Sequence, residues 1–98
     1  MTIHKTKNEK ALTIALEGRL DTLTAPELEA VLNDALADAE ELTFDFEKLD
    51  YISSAGLRVL LAAQKTMNRQ GTMKVIHTNE MIREIFEVTG FSDILTVE

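Results

Sequence analysis

Two short stretches of the chain alternate so strictly that each reads as a strand with one buried face. Leu12, Ile14 and Leu16 are separated by Thr13 and Ala15, and Leu42, Phe44 and Phe46 by Thr43 and Asp45. Successive side chains on a strand point to opposite faces, so each stretch offers one apolar side and one mixed side. A sheet covered on both faces would show continuous apolar runs instead. The alternation predicts a sheet with helices packed mainly on one face, and it argues against a doubly wound sandwich.

The remaining elements fall around these two. Thr2 to Lys7 reads as a strand, Asn8-Glu9-Lys10 as a tight connection and Gly18 as the close of a hairpin. Thr24-Ala25-Pro26-Glu27 has the pattern of a capping box, in which the Thr24 hydroxyl takes the Glu27 amide. The apolar spacing Leu28, Val31, Leu32, Ala35, Leu36, Ala39 predicts a helix from about Ala25 to about Ala39. A second helix is predicted over Ser54 to Gln70, stopped by Gly71, and a strand over Met73 to His77. Asn79 should cap a third helix with Ile82, Ile85, Phe86 and Thr89 inward, and Gly90 should end it. A last strand is expected over Ile94 to Val97. Met67, Met73 and Met81 read as core fillers. The order β-β-α-β-α-β-α-β describes an α/β fold with a mixed sheet. An opening antiparallel hairpin is followed by parallel strands joined through helices.

At 98 residues, the chain has the size of one domain, and the reading takes residues 1–98 as a single unit. Cysteine is absent, which removes disulfides, thiolate metal sites and thiol catalysis from consideration. The net charge of −7 repels phosphate backbones, and the ten basic residues are scattered, so nucleic acid is not an expected partner. No run approaches the roughly 18 apolar residues of a membrane span. A cytoplasmic protein is expected, without a membrane partner. A monomer is expected because no element carries a second apolar face.

The segment with most to say is Tyr51-Ile52-Ser53-Ser54-Ala55-Gly56-Leu57-Arg58, where a buried strand runs into an amphipathic helix. Either serine could cap the free amides of the helix start. One serine suffices for that, and here there are two. Gly56 falls in the first turn, where glycine costs roughly 1 kcal/mol relative to alanine. It marks the close approach of a neighbouring segment, such as the Asp21 loop, or of a partner.

This segment resembles the signature of STAS domains in bacterial anti-sigma factor antagonists. Gly18-Arg19-Leu20-Asp21, followed by Thr24-Ala25, resembles the second motif of the family, and the element order matches over essentially the whole chain. The resemblance implies a STAS fold and a role as a binding module. It places the phosphoacceptor on Ser54, with Ser53 as second choice because Ser53 stands where the family often has Asp. Ala55 stands where a further hydroxyl is common. Asp21 matches an aspartate in the loop beside the site.

By the same resemblance the unmodified protein binds an anti-sigma factor that is also a serine kinase, and the sigma factor is released. Phosphorylation of Ser54 ends the complex, and a metal-dependent serine phosphatase resets it. The expected contact surface is Asp21, Thr22 and Leu23 of the loop with Ser53, Ser54, Gly56, Leu57 and Arg58 of the helix start. Leu57 also lies on the core stripe, and Arg58 also reads as an ordinary solvated arginine.

An enzyme is not expected. A nucleophilic serine needs a base and a group to orient it, and the two histidines, His4 and His77, both fall in strands. They lack a metal-ligand pattern, and no glycine-rich phosphate loop is present. No catalytic residue, metal or cofactor is assigned. The alternative is a constitutive STAS interaction subunit of a transporter or a lipid-transport ATPase, using the same helix face without a phosphate cycle.

Overall fold

A computed structural model describes residues 1–98. It has β1 (Thr2–Asn8), β2 (Ala11–Leu20), α1 (Ala25–Ala35), β3 (Glu41–Ile52), α2 (Ser54–Gln70), β4 (Thr72–Ile76) and α3 (Glu80–Thr89), then a single 3-10 turn over Phe91–Asp93. The four strands form one sheet in the order β1-β2-β3-β4. β1 and β2 are antiparallel, and β2–β3 and β3–β4 are parallel. The mixed sheet expected from the sequence is the one observed.

The alternating residues are the floor of the core. Leu12, Ile14 and Leu16 of β2 and Leu42, Phe44 and Phe46 of β3 are all buried, beneath Leu28 and Leu32 of α1, Leu60 and Met67 of α2 and Ile82 and Phe86 of α3. Phe44 and Phe46 are both fully buried, with ring centroids 5.9 Å apart and tilted. Burial of one such ring contributes about 1.5–3 kcal/mol. The opposite face carries Thr13, Ala15, Thr43 and Asp45, none of them buried.

β3 is much longer than its alternation suggested. Its inward residues step by two through Leu42, Phe44 and Phe46, then by three to Leu49 and Ile52. The pairing with β2 explains this. Ala15 faces Asp45 but Glu17 faces Lys48, and Gly18 faces Leu49 but Arg19 faces Tyr51. Each shift puts one extra residue into β3, a β-bulge that resets which side chain points inward. The pairing of β1 with β2 ends at Thr2 and Glu17, so Gly18 marks the close of the hairpin, while β2 itself runs on to Leu20 beside β3.

Four further expectations are corrected. α1 stops at Ala35, not Ala39, because the chain must turn so that the Glu40 and Glu41 amides reach the Lys10 carbonyl at 2.8 and 3.2 Å. Leu36 and Ala39 stay buried in that turn, and the Gln70 amide nitrogen satisfies their carbonyls at 2.6 and 2.7 Å. β4 ends at Ile76, and His77 occupies a left-handed turn with φ 60°. The last strand is reduced to one bridge between Val75 and Val97. Met67 and Met73 are core residues, whereas Met81 is exposed.

Asn79 caps α3 as expected, accepting the Ile82 amide at 2.8 Å, and its side-chain nitrogen donates to the Leu49 carbonyl. The bulged part of β3 is thereby tied to the start of α3. No helix is long and apolar enough to cross a membrane.

Candidate functional site

The neighbouring ends of β2 and β3 place the two sequence motifs side by side. The Ser53 amide donates to the Leu20 carbonyl at 2.9 Å, and the Ser53 carbonyl accepts the Leu57 amide at 3.0 Å. The main chain of Ser53 is thus held by the sheet on one side and opens α2 on the other. Ser53 is the N-cap residue, with an extended backbone, but its side chain makes no capping bond. Its Oγ is buried without a hydrogen-bond partner. The capping role expected of either serine is not realised. Ser54, the first helical residue, is exposed.

The capping box at α1 is also absent. The Thr24 hydroxyl makes no bond to its own helix. It donates to the Arg19 carbonyl at 2.7 Å and accepts the Asp21 amide at 2.8 Å. Asp21 Oδ1 in turn accepts the Leu23 and Thr24 amides at 3.0 and 3.1 Å. The Thr24 amide, then the loss of water partly opposing it, then the Thr24 hydroxyl, the Leu23 amide and the Arg19 charge leave the Asp21 carboxyl below its ordinary range. Asp21 therefore stays ionised and shapes the loop. Thr22 and Leu23 project from it, and Leu23 is 86% exposed.

Two residues expected at the contact surface turn inward. Gly56 and Leu57 are buried, and Leu57 belongs to the core. Gly56 is glycine for lack of room. A Cβ there would lie 2.7 Å from Leu20 Cγ and 2.8 Å from Ile52 Cγ1. Both of those side chains are fully buried and cannot swing away. The close approach is to the ends of β2 and β3 rather than to the Asp21 loop itself. Thr22, Leu23, Ser54 and Arg58 remain exposed, with Asp21 and Ser53 half-buried between them.

Sequence reasoning missed two features of this end of the fold. Thr22, Pro26, Glu29, Ala55, Arg58 and Val59 line a shallow groove between the starts of α1 and α2. Arg19 lies over the Tyr51 ring, 4.4 Å from its centroid, with Nε 3.8 Å from Asp21 Oδ2. The groove depends on how two helices pack, for which the sequence carries no local signal. The stack follows from the bulge that pairs Arg19 with Tyr51, and a bulge is invisible in a strict two-residue period.

The histidines lie elsewhere, on the uncovered face of the sheet. His4 bonds Glu17, and His77 Nδ1 lies 2.9 Å from Asp45 Oδ1. The pairing of β3 with β4 brings Asp45, Glu47 and His77 within 4.8 Å of one another, a grouping that their sequence spacing does not show. The Asp45 bond raises the His77 imidazole against its partial loss of water, with the Asp45 and Glu47 charges adding to the rise. For Asp45, burial pushes up, but the bonds from His77 and the Glu47 amide prevail and the carboxyl is lowered.

The sign of the pH dependence follows from these directions. The contribution of His77 to stability is complete below its ordinary value of 6.5 and fades as pH rises through the raised folded value. That of Asp45 is complete above 3.8 and fades as pH falls through its lowered value. The pair is at full strength between those two ordinary values. An NMR titration should find the His77 ring with a midpoint above 6.5 that drops in Asp45→Asn. A midpoint at or below 6.5 in the wild type would remove the bridge.

A family profile described as "Mlab, STAS domain" matches residues 3–96. The chain belongs to the STAS-domain family. Among relatives of this STAS domain, BtrV of Bordetella bronchiseptica is 35% identical over 99% of this chain and 85% of its own length; it is provisionally named an anti-sigma factor antagonist. The structure of an anti-sigma factor antagonist from Mycobacterium paratuberculosis superposes with a TM-score of 0.89 at 22% identity, over 98% of this chain and 83% of that one. The Bacillus cell fate determinant SpoIIAA in its phosphorylated form gives 0.78 at 17% identity, over 99% and 91%. These solved structures share the fold of this STAS domain.

Proposed function

We propose that this STAS domain is an anti-sigma factor antagonist whose binding face is the exposed end formed by Thr22, Leu23, Ser54 and Arg58. The unmodified protein holds an anti-sigma factor that is also a serine kinase, and so frees the sigma factor. The kinase transfers the γ-phosphoryl group of ATP to Ser54 Oγ; the hydroxyl proton leaves and ADP is released. A metal-dependent serine phosphatase then cleaves the phosphate with water and restores the hydroxyl. The domain itself acts as a binding module and not as the catalyst.

The observation that carries this reading is the placement of Ser54. It is exposed, it opens α2, and the main chain beside it is anchored to the sheet through Ser53 and Leu20. A phosphate there adds about −1.5 to −2 charges next to unpaired helix amides, which favour an anion. No acidic side chain lies in the first turn of α2 to oppose it. The fold can keep its shape while the surface changes from a neutral hydroxyl to a dianion. The relationship to BtrV supports the same role.

Peptide-level mass spectrometry of the protein from its native cells, beside Ser54→Ala, tests the assignment. A single phosphate on Ser54, absent from the variant, is expected. A phosphate on Ser53 would move the switch by one residue. No phosphate under any growth condition would favour constitutive docking.

A further inference from the structure

The phosphate site proposed above has a cation poised beside it that the binding role alone does not explain. Arg58 lies four residues after Ser54 on α2, and residues at that spacing are neighbours on a helix surface. Both are exposed. The two arginines near the site differ in their commitments. Arg19 is stacked on Tyr51 and paired with Asp21. Arg58 takes part in none of the ion pairs of the molecule. Glu29 lines the same groove as Arg58 but forms no ion pair with it. Beside Ser54 lies a second uncommitted donor, the buried Ser53 Oγ, which has no hydrogen-bond partner.

We propose that Arg58 is the internal partner of a phosphate on Ser54, closing back along one helical turn to hold the modified side chain. A guanidinium presents its donors in a planar fork that suits phosphate oxygens. The pair adds to the amides of the helix start, which already favour an anion. Phosphorylation then changes the surface twice. It places a dianion where a hydroxyl was, and it withdraws an exposed cation that the unmodified protein offers to its partner. The inference rests on Ser54 as the modified residue.

Phosphoserine encoded genetically at position 54 allows a test without kinase or partner. The second ionisation of the phosphate, near 6 in free phosphoserine, is followed by phosphorus NMR in the otherwise native chain and in Arg58→Gln. The phosphate of the native chain is expected to ionise about half a unit lower than in R58Q, a roughly threefold difference in its dissociation constant. Arg58→Lys should recover part of the difference, and 1 M salt should shrink it. Coinciding midpoints in the native chain and R58Q would overturn the proposal. Circular dichroism and melting of unmodified R58Q establish that an exposed substitution leaves the fold intact. Because the readout is the phosphate itself, failure of the clamp leaves partner release by the phosphate standing. Loss of partner release with a shifted ionisation would leave the clamp standing instead.

Discussion

Phosphoserine at position 54 is expected to weaken capture of the proposed anti-sigma partner by roughly 100-fold or more, on the order of 3 kcal/mol. The melting temperature should stay within about 5 °C of the unmodified protein. The two expectations belong together. Ser54 is exposed, so its phosphate meets solvent and helix amides in the free protein and costs the fold little. In a complex the same group must be dehydrated against a surface that fits a hydroxyl. A charge desolvated without a partner group costs several kcal/mol. Titration calorimetry of the phosphoserine and serine forms against the purified partner measures the first quantity, and calorimetric melting the second. Equal affinities would sink the switch. A large fall in melting temperature together with lost binding would replace a surface effect by unfolding.

The largest expected loss of stability comes from a residue far from the serines. Gly71→Ala should cost about 2–4 kcal/mol, a large part of the 5–15 kcal/mol typical of a domain. Gly71 is extended, with φ 174°, a conformation open to any residue. The obstacle is the main chain it passes. A Cβ would sit 1.8 Å from the Glu40 carbonyl oxygen and 2.6 Å from its carbon. That oxygen accepts the Thr72 amide at 2.9 Å where β4 begins beside β3. Alanine has no rotamer to change, so the strand or the carbonyl must move and the bond must lengthen. Urea unfolding of the variant measures the cost. A change below about 0.5 kcal/mol, the size of an ordinary surface substitution, would show that the seam yields freely.

These sites also show what the sequence could and could not reveal. The alternation of Leu12, Ile14 and Leu16 with Leu42, Phe44 and Phe46 specified the sheet and its covered face, because burial on one side of a strand leaves a two-residue period. The same period failed beyond Phe46, where two bulges carry the strand on to Ile52. The helix α2 was legible to the residue from its apolar stripe and Gly71. The Thr24 cap misled, since the capping pattern is local and the hydroxyl was taken by the Arg19 carbonyl five residues back. At the site, the motif located Ser54 and the loop. The motif counted Gly56 and Leu57 with the contact surface, although the helical spacing already put Leu57 on the core stripe and Arg58 in solvent; the burial of Gly56 had no such signal.

The strands stand in the sheet in the order in which they occur in the chain. No strand is inserted between two that have already paired, and each pairs with the strand made immediately before it. A chain emerging from the ribosome can therefore lay the sheet down edge by edge, without holding a gap open for a segment still to be synthesised. The join between β3 and α2 lies in the middle of that sequence. The β1–β2 pair that borders it is laid down before Ser54 exists, and β4 arrives after.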